Sequence, residues 1–125
     1  MRHFINLIEN AQQDLVSYVR ENKPTGATAD LQIQEDGAVF VGYIEGRKTG
    51  MVPFLCRAAD RFGITLTLLV DVYSPHDGGN LVPYYQQHGF EIVGSSRGEA
   101  FNKDGEFYLG DTFEHDEIEM IRRPA

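Results

Sequence analysis

Positive charge is scarce in this 125-residue chain: 11 Lys and Arg stand against 19 Asp and Glu, a formal net charge of −8. A surface of that sign repels phosphate backbones and argues against nonspecific nucleic-acid binding, so no nucleic-acid partner is expected. Cysteine is almost absent. The single Cys56 rules out an internal disulfide and a thiolate metal cluster, and its place in a helical apolar pattern reads as a packed thiol. Long apolar runs are missing too. None approaches the roughly 20 residues that span a bilayer, and Met1-Arg2-His3-Phe4-Ile5-Asn6 has no continuous signal-peptide core. The expectation is a cytoplasmic protein with no membrane partner. His3, His88 and His115 have no metal-ligand spacing, so no metal site is expected. There is no internal repeat, low-complexity tract or linker.

Apolar residues make up 42% of the chain, which is ordinary globular composition and enough for one core. Phe4, Ile8, Ala11, Leu15 and Tyr18 recur at spacings of three and four, which predicts an amphipathic helix ended by Lys23-Pro24. Leu31 and Ile33 alternate with glutamines, and Asp36-Gly37 signals a hairpin. Ala38 to Ile44 and Ile64 to Tyr73 are nearly all apolar, as strands covered on both faces would be. Met51, Leu55, Ala58 and Phe62 mark a helix closed by Gly63. Leu81 to Phe90 reads as a short helix closed by Gly89. Strands follow around Glu91-Ile92-Val93, Glu106 to Leu109 and Glu117 to Ile121. The order predicts one α/β (α+β) sandwich domain, residues 1–125, with a mixed sheet flanked by helices.

Between the central strand and the second helix lies Arg47-Lys48-Thr49-Gly50-Met51-Val52. A strand entering a glycine turn and then a helix presents free backbone N–H groups, which with the helix dipole favour an anion. The nucleotide P-loop spacing and the dinucleotide G-x-G-x-x-G pattern are both absent.

Loop, helix, strand and tyrosine helix together resemble the GNAT superfamily of acetyl-coenzyme A-dependent N-acetyltransferases over roughly residues 38 to 123. Arg47 and Gly50 match the first and fourth positions of the family's Q/R-x-x-G-x-G/A pyrophosphate loop; Val52 stands where the family has Gly or Ala. Tyr85, Gly89 and Phe90 occupy the Tyr, Gly and Phe places of the family's N-x-x-A-x-x-Φ-Y-x-x-x-G-F helix, and Tyr84 takes the apolar one. The asparagine place falls on Gly78, with Asn80 two residues away. Ile118 to Arg123 resembles the last strand of the family. One helix and one hairpin precede the loop, where the family has a strand, two helices and three strands.

The resemblance implies acetyl transfer from acetyl-CoA to a primary amine of a small molecule or protein. Acetyl-CoA would lie along Tyr43 and Ile44, with its pyrophosphate on Arg47, Lys48, Thr49, Gly50, Met51 and Val52. Tyr85 would contact the cofactor and protonate the departing thiolate, while Tyr84, about 100° away around the helix, would fill the core. Glu45 is the first candidate for the base that deprotonates the amine, and His76 the second. The acidic run from Asp111 to Glu119 suits a cationic acceptor. The alternative is a GNAT-like protein of weakened or lost catalysis that binds another protein, supported by Val52, the displaced Asn80 and the short N-terminal part. A missing edge strand leaves a sheet edge that a homodimer would cover.

Overall fold

The computed structural model describes residues 2–71, 81–95 and 117–125, with side chains except at 2–9, 47, 71, 95 and 117. Among the described residues, three α-helices and a five-stranded open mixed sheet give a fold of the mixed α+β kind. In chain order these are α1 (Arg2–Asn22), β1 (Thr28–Ile33), β2 (Val39–Glu45), α2 (Met51–Phe62), β3 (Leu66–Asp71), α3 (Val82–Gln87), β4 (Glu91–Ser95) and β5 (Glu117–Arg122). The sheet runs β1-β2-β3-β5-β4. Two compact units divide the chain: Met1–Thr67 with Arg122–Ala125, and Leu68–Ile121.

In the first unit, α1 packs against α2. The α1 stripe is rotated from the expected one. Gln12, Leu15 and Val19 are buried, while Ala11 and Tyr18 sit on the flank of that stripe. Tyr18 stacks on Phe54 of α2 with ring centroids 5.8 Å apart and meets Phe62 edge-on at 5.6 Å. The Arg61 guanidinium lies 5.0 Å from the Tyr18 ring centroid. Such aromatic and cation–π contacts contribute about 0.5–1.5 kcal/mol each. Gln12 is 1% exposed, and its Nε2 donates to the carbonyls of Gln34 (2.8 Å) and Ala38 (2.7 Å), tying the helix to the hairpin.

β1 and β2 form the antiparallel hairpin expected from Asp36-Gly37. Its turn closes through Gln34 N–H to Ala38 O (3.0 Å) and Gly37 N–H to Gln34 O (3.2 Å). The Asp36 carboxylate adds a third tie, accepting from the Ala38 N–H at 3.0 Å. β2 is not covered on both faces throughout. Val39 and Val41 are buried, but Gly42, Tyr43 and Glu45 are exposed, Tyr43 by 53%. β3 departs from the expectation in the same way: Leu66, Leu68 and Val70 are buried, while Leu69 between them is 48% exposed. The strand therefore alternates despite its apolar composition.

α2 buries Met51, Val52, Leu55, Cys56, Ala58 and Ala59 on one side and ends at Gly63 as expected. The end of β5 returns to this helix. Arg122 donates two parallel bonds to the Asp60 carboxylate (2.8 and 3.0 Å) and a longer one to Cys56 O (3.4 Å). The Ala125 N–H also donates to Asp60, at 2.9 Å. These bonds hold the Asp60 carboxyl below its ordinary value, the Arg122 pair being the main cause and the Ala125 amide the second. Burial pushes the Cys56 thiol up.

In the second unit, β4 pairs antiparallel with β5, whose Ile118 and Met120 are fully buried. α3 buries Val82 and Tyr85, and Phe90 packs behind it with its ring centroid 5.5 Å from that of Tyr85.

Candidate anion-binding turn

The residues singled out between Tyr43 and Val52 are consecutive in the first unit, and one local geometry positions them. The hairpin register sets Tyr43 opposite Asp30, Ile44 opposite Ala29 and Glu45 opposite Thr28. Tyr43 and Glu45 are exposed and Ile44 is half-buried. At Gly46 the chain leaves the strand with φ +79. A Cβ built there would lie 2.8 Å from Gly26 O and 2.9 Å from Ala27 Cα, so two backbone segments meet where only glycine fits. Lys23, whose Nζ donates to Ala27 O, is anchored beside this crossing.

Arg47–Thr49 then form a single tight turn. The Thr49 N–H donates to Gly46 O at 2.9 Å, and the Thr49 hydroxyl donates to the same carbonyl. The only hydroxyl proton of Thr49 is thereby committed to the turn. Gly50 follows at φ +88, ψ +19 and precedes the first residue of α2. No side chain caps the helix, and Pro53 has no N–H to offer. The Met51 and Val52 amides are thus left as uncapped donors at the positive end of the helix dipole.

Val52, where a branched side chain departs from the resemblance, is 1% exposed and packs inward, as does Met51 at 0%. Apart from its neighbours in the chain, no residue comes within 4 Å of the place where a Gly50 Cβ would stand, so that side of the turn is open. Lys48 is exposed in the same turn, and Arg47 is described in its backbone alone. The arrangement sets an exposed lysine beside the positive end of an uncapped helix, which suits a phosphate or pyrophosphate.

Tyr85 belongs to the second unit. It is 6% exposed, with its ring edge-on to Tyr84 (5.5 Å) and Phe90 (5.5 Å). Tyr84 is the half-buried one, lying against His88 at 5.0 Å. Tyr84 therefore does not fill the core as expected, while Tyr85 is the buried tyrosine of the helix. His76, Gly78, Asn80, the strand expected at Glu106 to Leu109 and most of the acidic run, residues 111–116, lie outside the described residues.

Among the described residues, no three His, Cys, Asp or Glu side chains gather in a metal-binding group. No helix there is long and apolar enough to cross a membrane. Sequence patterning missed the Gln12 anchor and the Asp60–Arg122 pair. A polar residue inside an apolar stripe was the one available signal for Gln12. The chain matches no protein-family model, no curated protein and no solved structure.

Proposed function

We infer that the protein is a GNAT-like N-acetyltransferase that moves the acetyl group of acetyl-CoA to a primary amine. The observation that carries this reading is the Gly46–Val52 turn: an open, uncapped helix start behind two left-handed glycines, with a lysine beside it, in an otherwise acidic chain. Lys48 offers charge to a pyrophosphate, and the uncapped start of α2 offers the positive end of a helix dipole. Tyr43 and Ile44, late in β2, would flank the pantetheine arm.

The chemistry is acyl transfer. The amine nitrogen attacks the thioester carbonyl carbon, giving a tetrahedral oxyanion, and its collapse breaks the C–S bond and releases the thiolate. In this reading Glu45 takes the proton lost by the amine, and Tyr85 gives its phenolic proton to the sulfur. The exposure of Glu45 suits exchange with water.

A second reading keeps the fold but weakens or gives up catalysis, with the protein acting by binding another protein. The 6% exposure of Tyr85 favours it, because little of that ring reaches solvent. Titration calorimetry with acetyl-CoA, followed by thiol-release assays over a panel of primary amines, separates the two. Binding with turnover supports the transferase, and a Tyr85→Phe variant then retains affinity while losing turnover. Binding without turnover on any amine moves the assignment to the second reading. No binding at hundreds of micromolar acetyl-CoA sinks the transferase reading and favours the second.

A further inference from the structure

Gly46 follows β2; at the other end of that strand, the hairpin turn, Ala11 of α1 and the Gly63–Thr65 segment after α2 line an open cavity of about 450 Å³. Its lining includes Asp36, Gly37, Gly63, Ile64 and Thr65, with no lysine, arginine or histidine among the described residues. It is rich in acceptors that have no donor. One Asp36 carboxylate oxygen holds the Ala38 N–H, and the other makes no hydrogen bond or ion pair among the described residues. The carbonyls of Gly37 and Gly63 accept no hydrogen bond there, and the Thr65 hydroxyl makes none. The C-terminus of α2, closed by Gly63, adds the negative end of a helix dipole.

A carboxylate, two carbonyls and a hydroxyl around one cavity complement a group with several donors and positive charge. Among common biological groups that is a primary ammonium, with three N–H donors on a compact charge. With no side chain at Gly37 or Gly63, there is room for an attached alkyl chain. We propose that this cavity binds a primary alkylammonium ion. The site is distinct from the Gly46–Val52 turn, since the seven residues of β2 separate them by roughly 20 Å. It does not depend on the acetyl-transfer reading.

Amide chemical shifts during titration with 1,4-diaminobutane test the proposal, with 1-butanol as the uncharged comparison. The diamine is expected to shift the amides of Gly37, Ala38, Gly63 and Ile64 in a saturable way, and butanol is expected to leave them in place. Asp36→Asn keeps an oxygen for the Ala38 N–H and so keeps the turn, while removing the charge. It should weaken diamine binding by about fivefold or more. Three results overturn the proposal: unmoved amides at tens of millimolar diamine, equal shifts with butanol, or undiminished affinity in the Asn variant.

Discussion

Replacing Gly46 by alanine separates two costs that usually arrive together. The residue sits at φ +79, and its absent Cβ would approach backbone atoms of Gly26 and Ala27 to 2.8 and 2.9 Å. Gly50 shares the first condition, at φ +88, but not the second, since no residue apart from its chain neighbours comes within 4 Å of its missing Cβ. The left-handed conformation costs an alanine about 1–2 kcal/mol, and reduced freedom of the unfolded chain returns about 0.4–1. Gly50→Ala should therefore lose about 1 kcal/mol. At Gly46 the clash is with backbone, which cannot rotate away as a side chain does. Overpacking of that kind adds about 1–3 kcal/mol, so Gly46→Ala should lose about 2–4 kcal/mol in all. Against a typical total of about 5–15 kcal/mol this is a large fraction. In urea, with a slope of about 1.5 kcal/mol per molar, the midpoint should fall by more than about 1 M for Gly46→Ala and by well under 1 M for Gly50→Ala. Equal midpoint shifts at unchanged slope would refute the claimed backbone crossing.

The Asp60–Arg122 pair makes stability depend on acid. A carboxyl whose folded-state pKa is depressed contributes fully above its ordinary value of 3.8 and loses that contribution as pH falls through the lower folded-state value. Asp60→Asn should cost about 1 kcal/mol near neutrality for this partly exposed pair. Denaturation curves of the two proteins should converge as pH drops below 3.8, and a gap that persists at lower pH would remove the ion pair as its cause. Cys56 is 6% exposed and its thiol is pushed up by burial, so a disulfide reagent at pH 8 should label the native protein far more slowly than the urea-unfolded chain. Equal rates would place the thiol at the surface.

Local signals carried much of the fold. Asp36-Gly37 marked the hairpin, Gly63 the end of α2, and Pro24 the stop of α1, because each acts through backbone dihedrals within a few residues. Facing was harder to read. In α3, six residues make under two turns, so neither tyrosine had a periodic partner from which its facing could be read. Leu69 and Tyr43 are apolar yet exposed, since composition alone cannot say which sheet face is covered. Of the candidate site, the Gly46–Val52 turn was legible as a strand–glycine–helix junction. The Asp60–Arg122 pair was not, because 62 residues separate its partners in the chain.

One buried amide also governs where a whole helix can rest. An apolar stripe is forgiving: slid along by one turn, 5.4 Å, α1 would still present hydrocarbon to hydrocarbon. Gln12 is not forgiving, because the carbonyls of Gln34 and Ala38 come within reach of its Nε2 at one place only. At any other station both N–H groups would be stranded without water, at a cost of about 1–3 kcal/mol. The contact therefore works as a detent, turning a continuum of near-equal dockings into a single notch and making the hairpin turn the ruler from which the position of α1 is measured.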